Sequence, residues 1–159
     1  MLIALISFIV ADIDPKKIRN IKKLYPRITV VPTSVIHKQK VDVFVPCAMS
    51  GVLNSKSVSE IRSEIVAGSA NNQIADPSID KLLYKLGILY APDYAINAGG
   101  LISVADEFEN DSPSQTRILE KLANIRTVLA SIFTKSAKGK KGTGSVANEM
   151  AEKIFNGND

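Results

Sequence analysis

Short continuous runs of apolar residues alternate along this chain with longer stretches whose apolar positions recur every three or four residues. The runs fall near 2–11, 28–31, 42–46, 64–67 and 87–91. Their length and continuity predict strands buried on both faces, as in a parallel sheet. The stretches between them predict helices with marked starts. Asp14-Pro15 and Asp76-Pro77 each put a capping carboxylate before a proline at the first helical position, and Ser112-Pro113 does so with a hydroxyl. Ile79, Leu82, Leu83 and Leu86 give the helix after Pro77 one apolar face, and Gly87 is its stop. After Pro113, the positions Ile118, Leu122, Ile125, Leu129 and Ile132 step by 4, 3, 4 and 3, which predicts an amphipathic helix of about six turns. A mobile turn over 139–145 is predicted before a short last helix from Val146 to Phe155. Strands alternating with helices predict an α/β fold, a mostly parallel sheet flanked by helices, with 112–159 as a C-terminal helical segment.

Composition narrows this picture without changing it. At 159 residues the chain makes one domain, long enough to bury roughly 70% of the surface its unfolded form exposes. An apolar share of 45% and a charged share of 23% exclude a disordered or fibrous chain. The single cysteine excludes an internal disulfide and suits a reducing cytoplasm, the expected compartment. One Cys (Cys47) and one His (His37) make no zinc site. The net charge of +4 is concentrated in clusters at 16–27 and 135–141. Ile18, Ile21 and Tyr25 recur at helical spacing within the first, so its lysines cover a solvated helix face. No aromatic platform or recognition motif accompanies them, and no nucleic-acid partner is expected. The opening run MLIALISFIVA is too short to span a bilayer and lacks the basic start of a signal peptide. It is predicted to be a buried strand ending at Asp12, and no membrane partner is expected. The glycine- and lysine-rich segment 139–145 lacks the order of a phosphate loop and follows no strand, so that reading is rejected.

Candidate chemistry gathers where predicted strands end. After the run 87–91 comes a Pro-Asp turn, then Asn97-Ala98-Gly99-Gly100, then a helix with Leu101, Val104, Ala105 and Phe108 on one face. Paired glycines at a helix start let a ligand approach the backbone, and helix N-terminal amides favour a carboxylate or phosphate. Apolar side chains beside a polar mouth suit an amphiphilic small molecule, although spacing alone fits a plain loop-to-helix junction equally. Asn71 and Asn72 follow the run 64–67 through Gly68-Ser69-Ala70. Asparagine offers a donor and an acceptor to a carboxamide or carboxylate, and is also a common turn residue. Cys47 and Ala48 follow the run ending at Val45, on the side where α/β folds bind ligands. Cys47 has no adjacent activating base and reads as a small apolar residue, not a nucleophile.

Three runs carry a resemblance. VDVFVPCAMSGVLN (41–54), IVAGSANNQIADP (65–77) and GILYAPDYAINAGGLISVADE (87–107) are similar, in this order, to the nucleotide-binding domain of the amino-acid dehydrogenases that act on leucine, valine and phenylalanine. Glutamate dehydrogenase is a more distant relative, and the leucine-acting members match best. With the strand ending at Asp12 the similarity covers nearly the whole chain, weakening after residue 110. The resemblance implies that 1–159 is a partial, Rossmann-like NAD-binding domain with a truncated sheet. Asp12 then stands where an acid hydrogen-bonds the ribose 2′-hydroxyl and favours NAD, though a strand-end charge or cap fits the same position. Cys47 and Ala48 lie with their backbone against the nicotinamide ribose. Asn71 contacts nicotinamide and substrate, with Asn97 as its partner. Leu101 and Val104 line the substrate side-chain pocket, although apolar residues at i, i+3 on a helix serve a core equally well. Glutamate-specific relatives carry serine where this chain has Val104. An apolar residue there would leave a charged side chain unpaired, at several kcal/mol.

The implied reaction is the reversible, NAD-dependent oxidative deamination of leucine or a similar branched-chain or apolar L-amino acid to the 2-oxo acid and ammonia. The glycine fingerprint belongs about 20 residues before the ribose-binding acid. Only eleven residues precede Asp12, none of them glycine. The first strand, the glycine turn and the family's catalytic domain with its lysines are therefore expected to lie outside this chain. No residue of 1–159 is assigned a catalytic role, and the chain alone is expected to be inactive. Its expected partners are an apolar amino acid or 2-oxo acid and, as in the resembled family, further copies in a homo-oligomer. Two rival readings are half of a split enzyme, docking on a separately encoded catalytic half, and a non-catalytic interaction module on the same fold.

Overall fold

The structure is a computed structural model that describes residues 7–110 and 112–157. In chain order it contains β1 (Ile9–Val10), α1 (Pro15–Leu24), β2 (Thr29–Val30), a 3-10 turn (Thr33–Lys38), β3 (Val43–Phe44), α2 (Ser55–Glu60), β4 (Ile65–Val66), α3 (Ser78–Lys85), β5 (Leu89–Tyr90), α4 (Asp93–Ile96), α5 (Gly99–Glu109), α6 (Gln115–Gly139) and α7 (Thr143–Phe155). Each predicted apolar run contains one strand, shorter than the run. The start of the first run, before Ser7, lies outside the described residues.

Every strand pair is parallel, but the strands form two sheets: β1-β2, and β3-β4-β5. The fold is thus α/β and mostly parallel, flanked by helices, as the apolar runs and the resemblance imply.

In the three-stranded sheet, Phe44, Val66 and Tyr90 are in register and point to one face. They are buried with Leu53, Val58, Ile79, Leu83 and Ile88 under α2 and α3. Val43, Ile65 and Leu89 share the other face. That face is open, with Val43 41% and Leu89 37% exposed. A second apolar cluster, Ile132, Val146 and Ala147, joins α6 to α7.

Helix starts follow their caps, with three shifts from expectation. Asp14 accepts the Lys16 N–H at 2.7 Å and starts α1 as predicted. Asp76 accepts the backbone N–H of Ser78 at 2.9 Å, and α3 begins at Ser78, one residue later than predicted. α6 is capped by Ser114, not Ser112. The buried Asp106 carboxylate selects this start, accepting the Ser114 N–H at 2.9 Å and two bonds from Arg117 at 2.9 and 3.1 Å. α7 begins at Thr143 rather than Val146. Residues 143–145, predicted as part of a mobile turn, are instead the anchored first residues of α7. Asp80 on α3, itself buried, accepts the Gly144 N–H at 2.8 Å and the Ser145 N–H at 2.9 Å. A β-carbon on Gly142 would stand 2.1 Å from the same carboxylate, which would have to shift to admit it. Among the described residues no helix is long and apolar enough to cross a membrane.

Candidate functional site

Three loops meet at the carboxyl ends of β3, β4 and β5. The first, Pro46-Cys47-Ala48, follows β3 and is held against the second by a bond from the Ala70 N–H to the Pro46 carbonyl, 3.0 Å. The two backbones touch at Gly68, where a β-carbon would lie 2.1 Å from Pro46 O. Cys47 and Ala48 remain exposed on the rim.

The second loop, Gly68 to Gln73, follows β4. Asn72 turns the chain at φ +51°, a left-handed conformation that asparagine tolerates. Its carbonyl accepts the Gly51 N–H at 2.7 Å. Gln73 is fully buried, and its side-chain amide donates to the Gly68 and Ala70 carbonyls, both at 2.8 Å. Its backbone N–H donates to Asp93 Oδ2 at 3.1 Å.

The third loop follows β5 and contains α4. Asp93 is buried at its start, donating its N–H to the Tyr90 hydroxyl and accepting that hydroxyl on Oδ1, both at 3.2 Å. Burial and the Asp93 charge push the Tyr90 hydroxyl well above its ordinary range, so it stays a donor. Asn97 caps α4 and donates its side-chain amide to Ser69 O at 2.7 Å and to Asn71 Oδ1 at 2.9 Å. Two acceptors facing one amide fix the orientation of both side chains. Among the described residues the Asn97 carbonyl oxygen and the Asn71 amide nitrogen have no protein partner. They present one acceptor and one donor at the rim.

The structure therefore brings Asn71 and Asn97 into contact and sets Cys47 and Ala48 on the adjoining loop. α5 leaves this rim with Gly99 and Gly100 in its first turn, and a β-carbon on Gly100 would meet nothing within 4 Å. Leu101 and Val104 stand on α5 at 74% and 62% exposure, with Phe108 beyond them at 91%. They pack no core of this chain. Asp12 lies apart from the three loops, just past β1 in the other sheet, where its Oδ1 accepts the Asp14 N–H at 2.8 Å. A cavity of about 250 Å³ lies at the opposite, amino ends of β4 and β5, and one of about 190 Å³ lies between β5, α3, α6 and the start of α7; the two share Gly87 and Ile88. The candidate site is thus an open ledge, apart from both. His37 is also remote, paired with Glu60 at 2.9 Å between the 3-10 turn and α2.

Sequence reading missed Gly68, Gln73 and Asp93 as organisers of this ledge. Gln73 lies in a quoted run, but its burial depends on contacts 20 residues away, which no local pattern reveals.

The family model described as Glutamate/Leucine/Phenylalanine/Valine dehydrogenase matches residues 9–155. The chain belongs to this family. Among relatives of this dehydrogenase family member, phenylalanine dehydrogenase from Lysinibacillus sphaericus is 40% identical over 152 residues, covering 93% of this chain and 39% of that protein. L-tryptophan dehydrogenase from Nostoc punctiforme is 37% identical over 152 residues, covering 95% of this chain and 42% of that protein. A crystal structure of L-tryptophan dehydrogenase from the same organism superposes with a TM-score of 0.89 at 37% identity, over 96% of this chain and 45% of that one. The chain spans about two-fifths of the length of the curated relatives it matches.

Proposed function

We propose that 1–159 is the partial NAD-binding domain of an amino-acid dehydrogenase, with 112–159 as its helical extension. The enzyme would act in the cytoplasm as a homo-oligomer and carry out the reversible oxidative deamination of leucine or a similar branched-chain or apolar L-amino acid. The observation that carries the reading is the Asn97–Asn71 pair at 2.9 Å beside the Cys47–Ala48 loop, at the carboxyl ends of parallel strands. A carboxamide rim with one donor and one acceptor left over suits the nicotinamide carboxamide and a substrate carboxylate. NAD, when bound, supplies the hydride chemistry.

The chain's own residues bind and orient. Asn71 would hold nicotinamide, the Cys47 and Ala48 backbone its ribose, and Asp12 the adenosine ribose once released from the Asp14 N–H. Asn97 would orient substrate, with Leu101 and Val104 against its side chain. The exposed apolar side chains of α5 support an apolar substrate, as do relatives named for phenylalanine and tryptophan. No lysine bonds to the ledge among the described residues, so proton transfer would need groups supplied from outside it. The chain alone should therefore be inactive. The exposed α5 stripe and the separate sheets also favour the second reading, docking on a separately encoded catalytic half.

The test is NAD titration of the chain followed by fluorescence, with Asn97→Ala and Asn71→Ala beside it. Saturable binding weakened about tenfold by either variant, at unchanged melting temperature, is expected. No NAD reduction with leucine at alkaline pH is expected from the chain alone. Unaltered binding in both variants would overturn the site assignment, and turnover would overturn the inactivity.

A further inference from the structure

We propose that Gln73 is the positioning residue of the ledge, holding the loop after β4 in the shape that lets Asn71 meet Asn97. The inference rests on the functional reading above only for what the two asparagines bind.

Its side-chain amide reaches back to Gly68 O and Ala70 O, both at 2.8 Å, and so closes the loop from the inside. Those two carbonyls bracket Ser69, whose own carbonyl accepts the Asn97 amide at 2.7 Å, and Asn71 follows directly. The backbone N–H of Gln73 holds Asp93, and Asp93 O accepts the Asn97 N–H at 2.8 Å across α4. The Gln73 carbonyl accepts the Leu53 N–H at 2.9 Å, tying in the segment after β3. One residue thus holds both ends of the Asn97–Asn71 bond and links them to a third segment.

Stability alone does not account for a glutamine here. Gln73 Oε1 is buried with no hydrogen-bond partner among the described residues. An unpaired buried acceptor is costly, and methionine would fill the same volume without it. What methionine lacks is two donors at the right reach. Glutamate would face both carbonyls with a carboxylate, and asparagine is one methylene short.

The test reads the asparagine directly. In ¹⁵N spectra of the full chain, the Asn97 side-chain amide protons are expected to exchange slowly. In Gln73→Met they should exchange about tenfold faster or more, with the melting temperature recording any general loss of stability. A folded Gln73→Met chain with an unchanged Asn97 amide overturns the proposal. Should that variant not fold, the unaltered chain decides. Its Gln73 side-chain amide should be protected as long as that of Asn97, and longer than that of Gln39, which makes a single bond to Val35 O at 2.9 Å. Exchange of Gln73 as fast as Gln39 also overturns it. Because these readouts need no ligand, NAD that fails to bind would sink the functional reading while the released Asn97 amide still upheld the positioning role.

Discussion

Gly68 sits where two loops of the ledge press together, and its missing side chain sets their spacing. A β-carbon would meet the Pro46 peptide, its oxygen at 2.1 Å and its nitrogen at 2.6 Å. Backbone on both sides leaves nothing flexible to give way. Gly68→Ala should therefore force the loops apart and cost about 3 kcal/mol, at the upper end of the range for overpacking. Urea unfolding of both chains measures it, and a loss under 1 kcal/mol would show that the contact relaxes easily. The glycines singled out from the sequence behave differently. Gly99 and Gly100 lie in an ordinary helical turn, and Gly100 faces open space. A β-carbon on Gly99 would meet only the Leu122 side chain, at an ordinary 3.4 Å. Asn71 and Asn97 stand out in the sequence because they lie in the runs that carry the family resemblance, and the structure brings their side chains together at 2.9 Å. Sequence reading missed Gly68 and Gln73 because what they touch is distant in sequence.

Elements were legible wherever a local rule decides them. Asp14 before Pro15 starts α1, since the capping bond spans only two residues. Ser112 before Pro113 satisfies the same rule and fails. Asp106, eight residues before Ser114, draws that N–H and the Arg117 guanidinium into one cluster, so the helix begins later. α2 is capped by Asn54 and Ser57 and was not foreseen, because six residues are too few to show periodicity. Between the 3-10 turn and α2, hydrogen bonds from His37 and Lys38 hold the Glu60 carboxyl down at about 2, from an ordinary 4.5. A carboxyl that is more acidic when folded stabilises the fold above its unfolded pKa and loses that contribution as pH falls toward the folded one. Thermal melts of the chain and Glu60→Gln should thus differ above pH 4.5 and converge as the pH approaches about 2. A difference independent of pH would mean the carboxylate charge contributes nothing.

At the scale of the whole molecule, the apolar runs predict strands buried on both faces, and the structure buries one. Phe44, Val66 and Tyr90 are covered, whereas Val43 and Leu89 remain open and Val45, just past β3, is 54% exposed. Continuous apolar strands belong to sheets covered on both sides, so this face is suited to contact with another polypeptide. The chain alone should self-associate as its concentration rises. Val45→Lys should reduce this in sedimentation equilibrium while lowering stability by less than about 1 kcal/mol, as expected of an exposed site. Equal association by both chains would place the contact elsewhere. The Asp80 carboxylate bears on time rather than shape. It joins Gly144 and Ser145 across 64 and 65 residues of sequence. Contacts that close so long a loop pay their entropy before they return anything, so α7 should dock after the folding barrier has been crossed. Asp80→Asn should then quicken unfolding severalfold and leave the refolding rate nearly unchanged, as read from the two arms of a stopped-flow chevron. Slower refolding would instead put α7 in the nucleus. In the expected case, the last helix sets how long the native chain survives rather than how fast it forms.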